Sequence, residues 1–266
     1  MRNLIPFVKA PPRVAVIRLS GMIAAGGRAG ARLNDASLAP TIERAFSKGK
    51  PAAVALLVNS PGGSPVQSAL IAGRIRRLAA EKSVRVHTFV EDLAASGGYW
   101  LATAGDDIWI DESSIVGSIG VISSSFGFSD FIARYGIERR VHTAGKSKSF
   151  LDPFKPEKEE DIARLKALQE PIHAAFIAHV KARRGAKLAD RDLYTGDIWV
   201  GQQAIEVGLA DGIAHPVPKL KELYGDKVKL VHYGQRRGLL SRLGATLWDD
   251  AMAQVEERAM LARYGL

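Results

Sequence analysis

Residues 52–63 read AAVALLVNSPGG, and this stretch indicates the fold class. Its first part, residues 52–58, is an uninterrupted apolar run, which is typical of a β-strand buried on both faces. Residues 59–63 (NSPGG) form a dense turn signal. Residues 66–81 then show helical spacing of apolar side chains, at Leu70, Ile71, Ile75 and Leu78. A buried strand, a tight turn and an amphipathic helix in this order predict a parallel sheet covered by helices.

The same alternation of strand and helix signals extends along most of the chain. The pattern predicts strands at residues 14–19, 52–58, 84–90, 107–110, 116–123, 137–142 and 228–231. It predicts helices at residues 38–47, 66–81, 94–104, 126–135, 157–184 and 238–264. We therefore expect an α/β fold with a mostly parallel sheet flanked by helices.

The domain organisation follows from the same pattern. Residues 1–13 are interpreted as an N-terminal tail and residues 14–235 as one α/β domain. Residues 236–266 are interpreted as a C-terminal amphipathic helix. Such a helix is suited to cover the body of the protein, a neighbouring subunit or a membrane surface.

The composition is that of a globular protein with ordinary side-chain usage. The 266 residues are 47% hydrophobic and 24% charged, which excludes a disordered chain and a coiled-coil rod. The chain has no cysteine, so thiol nucleophiles and cysteine-based metal sites are excluded. The lack of cysteine is consistent with a reducing compartment.

The net charge of +9 raises the question of an anionic partner. Aromatic residues make up only 7% of the chain, and the basic runs are short and scattered. We therefore expect no nucleic-acid partner and interpret these runs as solvated faces, with peripheral contact to an anionic membrane as the alternative. No apolar run reaches the roughly 18 residues that a membrane-spanning helix needs.

Three glycine-rich turns lie at the ends of predicted strands, at residues 60–64, 96–99 and 117–120. In open parallel sheets, ligands bind beyond the carboxyl ends of the strands, although each turn could serve only as a connection. Ser96 is placed between a strand and a helix start and is followed by Gly97 and Gly98. The free backbone N–H groups of a helix start favour an attacking alkoxide and an oxyanion, while a plain helix-capping serine is the alternative interpretation.

A nucleophilic serine needs a general base. None of the six histidines except His142 stands in a context that suggests catalysis. A lysine can replace histidine where burial lowers its pKa from the ordinary value of about 10.4. Lys146 and Lys148 follow a predicted strand end, but an exposed loop lysine is more often inert than catalytic.

These motifs, taken together and in order, resemble those of the signal peptide peptidase A family. The resemblance rests on NSPGG at 59–63, ASGGY at 95–99, GSIGV at 117–121, the stretch 145–153, GDIW at 196–199 and GLAD at 208–211. It covers about residues 14–224, which is most of the chain.

The resemblance implies roles for individual residues. Ser96 matches the nucleophile and Lys148 the general base, with Lys146 as the competing lysine. Ser118 matches the serine that hydrogen-bonds the catalytic lysine. The backbone donors of the oxyanion hole are matched by Gly62, Gly63 and Gly97. The implied fold is the Clp/crotonase-like architecture of repeated β-β-α units.

The family's activity sets the functional expectations. The resemblance implies a serine endopeptidase with a Ser/Lys dyad and no cofactor, acting on signal-peptide-like or unstructured apolar peptides. It also implies a homo-oligomeric ring, with Ser96 and Lys148 meeting either within one chain or across two. Many members carry an N-terminal membrane anchor, and residues 1–13 are too short for one. We therefore expect a cytoplasmic protein, with peripheral contact to the membrane as the alternative.

Three alternatives use the same fold differently. A Clp-like Ser-His-Asp peptidase requires a histidine about one helix after Ser96, and His142 comes only at a later predicted strand end. A crotonase-type acyl-CoA enzyme would use glycine N–H groups on a thioester enolate, together with a carboxylate base. A scaffold protein with a decayed dyad would retain the fold without the chemistry.

Overall fold

Two compact units make up the protein in a computed structural model, which describes residues 10–26, 32–145, 148–234, 258 and 261–265. The sheet unit comprises Met1–Ile119 and Phe176–Leu266. The second unit comprises Gly120–Ala175.

The sheet unit is built on eight strands. They are β1 (Arg13–Ser20), β2 (Ala53–Ser60), β3 (Arg85–Ala95), β4 (Asp107–Ile110), β5 (Ile115–Gly117), β6 (Ile198–Val200), β7 (Gly212–Ile213) and β8 (Lys229–Tyr233). The strand order is β6-β5-β3-β2-β1-β8, with β4 paired to β3 and to β7. All pairs are parallel except β5 with β6.

Seven α-helices lie in the described part of the chain. They are α1 (Asp35–Ser47), α2 (Pro65–Lys82), α3 (Gly97–Ala102), α4 (Ser129–Arg134), α5 (Glu159–Arg184), α6 (Gln202–Glu206) and α7 (Pro216–Tyr224). No helix among the described residues is both long enough and apolar enough to cross a lipid bilayer.

Strand β2 is buried on both faces, as its apolar run predicts. Val54, Leu56 and Val58 belong to the large core shared with α1 and α2. The alternate residues Ala53, Ala55 and Leu57 belong to a smaller core on the other face of the sheet, which Leu220 of α7 covers. Because successive strand residues point to opposite faces, only a strand covered on both sides can be apolar throughout.

Helix α3 follows β3 and is completely buried. The hydroxyl of Tyr99 donates a hydrogen bond of 2.8 Å to the carbonyl oxygen of Leu209. The indole of Trp100 stacks on Phe176 and on His179, with ring centroids 5.0 and 4.7 Å apart. These contacts fix α3 beneath the end of α5 and beside the segment that contains Leu209.

A buried ion pair supports that segment. The guanidinium of Arg184 is 2.7 Å from the carboxylate of Asp211, and its Nε donates to the carbonyl of Gly208. The Asp211 carboxylate also accepts a hydrogen bond from the backbone N–H of Ile108. Although burial alone would raise the pKa of Asp211, its hydrogen bonds from Arg184 and Lys187 hold that pKa below the ordinary value. The segment is therefore tied to both α5 and β4.

We expect the stability of the sheet unit to fall on mild acidification because of His179. Desolvation by burial lowers the pKa of His179 from 6.5 to about 4. Between these two values the unfolded chain binds a proton at this position that the folded chain does not. Stability is therefore fully present above pH 6.5 and falls as the pH drops toward 4, with about 2 kcal/mol lost at pH 5.

Chemical unfolding at pH 7.5 and at pH 5, applied to the native chain and a His179→Gln variant, measures this contribution. The His179 ring nitrogen Nε2 lies 2.8 Å from the Thr103 hydroxyl. Glutamine can still donate to that hydroxyl but does not titrate, so the acid-induced loss of stability should shrink in the variant. His215→Gln is the matched control, because the His215 side chain is 69% exposed. Equal acid sensitivity of all three proteins would contradict the role assigned to His179.

The structure confirms most predicted elements and corrects several of them. The strands predicted at residues 14–19, 52–58, 84–90, 107–110 and 228–231 are present. The strand predicted at 116–123 ends at Gly117, and residues 137–142 form no strand. In the latter segment Arg139 pairs with Asp152, whose side chain is nearly buried, so the segment is held by this ion pair rather than by a sheet. The C-terminal helix predicted at 238–264 lies mostly outside the described residues.

The second unit has little core of its own. Helix α4 contains no buried residue, and Phe126 is 81% exposed. Phe128 stacks against Phe154, and the Arg139 guanidinium lies over the Phe154 ring. The helix predicted at 126–135 is accordingly shorter, because no packed surface holds its first residues in helical form.

Candidate active site

The glycine turn that follows β2 packs directly against the turn that follows β3. A Cβ atom placed on Gly62 would lie 2.9 Å from the Cβ of Ser96 and 2.8 Å from the backbone nitrogen of Gly97. A Cβ on Gly98 would lie 2.3 Å from the carbonyl oxygen of Ser60. Side chains at these positions would separate the two turns, so glycine is what allows the contact.

Ser96 forms a sharp corner between strand and helix. Its backbone angles are φ 52° and ψ −123°, a conformation that non-glycine residues rarely adopt. The hydroxyl makes no capping hydrogen bond to α3, so the interpretation of Ser96 as a plain helix cap does not fit. The Ser96 N–H donates instead to the Gly117 carbonyl, at 2.8 Å. The hydroxyl therefore stands partly exposed on a strained corner, as a nucleophile requires.

Two backbone N–H groups beside Ser96 have no acceptor among the described residues. They belong to Gly63 and Gly97. The Gly63 nitrogen is 3.3 Å from the position that a Cβ on Gly97 would take, so the two donors are close together. The Gly62 N–H differs, because it faces the buried Ser60 hydroxyl at 3.2 Å. Unpaired donors next to a serine hydroxyl provide a place for negative charge.

The third glycine-rich turn brings Ser118 to the same edge of the sheet. Ser96 and Ser118 directly follow Ala95 and Gly117, which are register partners of β3 and β5. Ser118 also has a positive φ, of 51°, and its N–H donates to the Asp197 carbonyl at 2.7 Å. The hydroxyl of Tyr264 lies 3.4 Å from the Ser118 hydroxyl.

The predicted base lies in the second unit. Lys148 is exposed, and its backbone N–H donates to the carbonyl of Gly145. The competing Lys146 lies outside the described residues. Ser96, Ser118 and the three glycines Gly62, Gly63 and Gly97 are thus brought together in one unit, and Lys148 belongs to the other.

The described histidines of the sheet unit serve other purposes. His87 is buried, and its ring contacts the Asp107 carboxylate at 2.8 Å and the Tyr224 hydroxyl at 2.7 Å. This Asp-His-Tyr arrangement resembles a catalytic triad. However, His87 lies nine residues before Ser96 on the same strand, which places it roughly 30 Å away. It therefore supports the packing of α7 on the sheet.

Two residues that frame the site have no sequence signal. Ile23 exchanges backbone hydrogen bonds with the glycine turn, from its N–H to the Gly62 carbonyl and from the Ser64 N–H to its own carbonyl. The buried hydroxyl of Ser68 lies beside Gly97. Ile23 stands in a stretch without periodicity, and Ser68 is one polar residue on an amphipathic helix. Only the pairing of distant segments shows that they contact the site.

A strained serine corner facing free glycine N–H groups at the carboxyl edge of a parallel sheet is the arrangement of a hydrolase with a serine nucleophile. Comparison with known proteins identifies the family to which the chain belongs. The model of peptidase family S49 matches residues 78–223, which is more than half of the chain. The chain therefore belongs to peptidase family S49, and its predicted fold class, α/β with a mostly parallel sheet of the Clp/crotonase-like type, is confirmed.

Individual relatives agree with this family. A protein named putative signal peptide peptidase SppA, from Enterococcus faecium, is 34% identical over 179 residues, which is 65% of this chain and 51% of that protein. The putative protease slr0021 of Synechocystis is 27% identical over 238 residues, covering 87% of this chain and 82% of that protein.

A further relative carries a different name. A protein named Na(+)/H(+) antiporter NhaA, from Brucella melitensis, is 49% identical over 286 aligned residues. The alignment covers all of this chain but only 39% of that protein. The chain thus spans about half or less of the length of several of the relatives it matches.

Proposed function

We propose that this peptidase is a serine endopeptidase in which Ser96 is the nucleophile and Lys148 the general base. The proposal is carried by one observation: the Ser96 hydroxyl stands on a strained corner beside the unpaired N–H groups of Gly63 and Gly97. Neither a structural turn nor a helix cap requires that combination.

The proposed reaction gives each of these groups one role. The Ser96 oxygen attacks the peptide carbonyl carbon while the neutral Lys148 amine takes the hydroxyl proton. The carbonyl oxygen becomes an oxyanion that accepts hydrogen bonds from Gly63 and Gly97, with Gly62 shaping the turn. The Lys148 ammonium then gives its proton to the leaving amine, and water releases the acyl group from Ser96 by the same path.

Ser118 is proposed to orient the Lys148 amine. A hydroxyl can accept a hydrogen bond from the amine without adding the negative charge that would favour the ammonium form. Its position next to Gly117, whose carbonyl binds the Ser96 N–H, places it one residue from the nucleophile's own hydrogen-bond partner.

A lysine base must be kept from water, because solvation favours its charged form. Lys148 is exposed in the single chain. We infer that a neighbouring protomer supplies the missing cover, which supports assembly into a homo-oligomeric ring with the dyad formed within one chain or across two. The proposed substrates are unstructured apolar or signal-peptide-like peptides, and the proposed location is the cytoplasm.

Covalent labelling tests the nucleophile. A fluorophosphonate reagent should add its mass to the peptide that contains Ser96, and a Ser96→Ala variant should remain unlabelled. A scaffold with a decayed dyad and an acyl-CoA enzyme of the crotonase type both predict no labelling at Ser96. Labelling at another serine would assign the nucleophile elsewhere.

We expect Tyr99→Phe to lower the kcat of peptide hydrolysis by more than its loss of folding stability explains. Tyr99 donates its N–H to the Ser96 carbonyl and its hydroxyl to Leu209, so it fixes the corner from below. Loss of one buried hydrogen bond typically costs about 1 kcal/mol of stability. The matched control is Tyr233→Phe, which removes a 3.3 Å hydrogen bond to the Lys48 carbonyl at the other end of the sheet.

Melting temperature and kcat/KM, measured for both variants, separate the two roles. Similar losses of melting temperature with a lower kcat only in Tyr99→Phe would support positioning of Ser96. Equal kcat values in the two variants would show that the hydroxyl of Tyr99 serves stability alone.

A further inference from the structure

The sheet unit carries a cluster of unpaired cations at the edge opposite the site. Because the central strands are parallel, their first residues meet at one edge, and Arg13 of β1 is the register partner of Lys229 of β8. The loop that leads into β2 brings Lys48 and Lys50 to the same edge. We call this surface the basic edge, and it consists of Arg13, Lys48, Lys50, Lys82, Lys227 and Lys229.

The cations of the basic edge lie close to one another. A Cβ on Gly49 would lie 3.0 Å from the guanidinium carbon of Arg13, so the Arg13 side chain extends between Lys48 and Lys50. The strands β3, β2, β1 and β8 are neighbours, which makes the edge roughly 14 Å wide. All six side chains belong to exposed residues.

Carboxylates do not neutralise this edge. In the described part of the chain, none of its six cations forms an ion pair. The acidic residues that lie close by are engaged elsewhere: Glu81 with Arg77, Asp106 with Arg76, and Asp107 with His87 and Arg85. Asp226, next to Lys227, is an exposed carboxylate without an ion-pair partner among the described residues.

The opposite edge of the sheet carries several carboxylates. Asp92 at the end of β3 accepts a hydrogen bond from Asn59, and Asp111 and Glu112 follow β4. These carboxylates lie on the same edge as Ser96. These carboxylates lie far along the strands from the cations of the basic edge, and this separation of charge would orient the protein on a negatively charged surface.

We propose that the basic edge docks the protein on an anionic lipid bilayer, with the Ser96 edge turned away from the lipid. A bilayer fits better than a nucleic acid, because among the described residues no exposed aromatic side chain accompanies the cations for base stacking. Leu223, which is 44% exposed in the last turn of α7, lies four residues before Lys227 and supplies an apolar side chain for the headgroup layer. Docked in this way, the enzyme meets peptides that arrive from the aqueous side.

Vesicle sedimentation with the full chain tests the proposal. The protein should bind phosphatidylcholine vesicles that contain about 30% phosphatidylglycerol, and should not bind pure phosphatidylcholine. Binding should weaken steeply between about 0.05 and 0.5 M salt, because the charges are exposed. The combined variant Lys48→Gln, Lys50→Gln and Lys229→Gln should lose about a hundredfold in vesicle affinity, at roughly fivefold for each lysine.

The matched control removes the same charge elsewhere. Lys155→Gln, Lys158→Gln and Lys166→Gln change three exposed lysines of the second unit and give the same net charge. Similar losses for both triple variants, or no loss for the basic-edge variant, would overturn the proposal. Tighter binding to duplex RNA than to the anionic vesicles at the same salt would also overturn it, in favour of a nucleic-acid partner.

The docking surface and the catalytic proposal can fail separately. Hydrolysis of a soluble peptide should be unchanged in the basic-edge variant and should persist on vesicle-bound protein, because Ser96 faces water. A Ser96→Ala variant should bind vesicles like the native chain. Inhibition of soluble-peptide hydrolysis by vesicle binding would show that the Ser96 edge, and not the basic edge, contacts the lipid.

Discussion

Peptide hydrolysis by the Lys148→Met variant should fall by at least about 10³-fold in kcat, while Lys146→Met should retain near-native activity. Methionine keeps most of the length of lysine and removes the amine that accepts the Ser96 proton. The two lysines are separated by one residue, so the pair of variants has the same change of charge and nearly the same place in the chain. Hydrolysis of a fluorogenic peptide, with melting temperature and oligomeric state as checks on folding, measures the difference.

The same variants report on the chemistry of the base. An amine that takes the Ser96 proton should speed both acylation by a fluorophosphonate and peptide hydrolysis. The Lys148→Met variant should therefore react with the fluorophosphonate more slowly than the native chain, in parallel with its loss of hydrolysis. Loss of activity in Lys146→Met alone would move the base by two positions, and full activity of both variants would refute a lysine base.

The central sheet could be predicted because its strands are long, apolar and separated by clear turns. Strand β2 is the best case, since residues 53–58 are buried on both faces of the sheet and all of them are apolar. Strand β6 could not be found in this way. It has only three residues, pairs antiparallel to β5, and leaves Ile198 and Val200 each 40% exposed, so neither a period nor an apolar run marks it.

The second unit shows where hydrophobic periodicity fails. A strand is predicted at residues 137–142, but a strand also needs a neighbour with free backbone groups. In the structure, Arg140 pairs with Glu138 and Arg139 with Asp152, and the segment remains exposed. A local pattern cannot show that a pairing partner is missing.

The residue types of the candidate site could be predicted, but which of these residues contact one another could not. The glycine-rich turns mark where the backbone comes close to something, without showing what it contacts. That Gly62 faces Ser96, that Gly63 faces Ile23 and that Gly97 faces the Ser68 hydroxyl depends on the register of β2 against β3. Register is set by the whole sheet, so no single motif contains it.

Gly97, whose contacts depend on this register, is the second position at which we expect a large effect of substitution. A Gly97→Ala methyl would lie 2.5 Å from the buried Ser68 hydroxyl and 3.3 Å from the Gly63 nitrogen. The first contact is a steric overlap that should destabilise the fold by about 1–3 kcal/mol. The second places a methyl group beside a proposed oxyanion donor, and loss of one such donor costs about 10²–10³-fold in kcat.

A second substitution separates the loss of stability from the loss of kcat. Adding Ser68→Ala to Gly97→Ala removes the hydroxyl that the methyl would strike, so melting temperature should recover most of the loss. Hydrolysis should remain about 10²-fold below native, because the methyl still crowds the Gly63 N–H. Ser68→Ala alone, which keeps Gly97, should be active and controls for the missing hydroxyl. If kcat recovers together with stability in the double variant, the oxyanion does not bind between Gly63 and Gly97, and these glycines serve only the packing of the two turns.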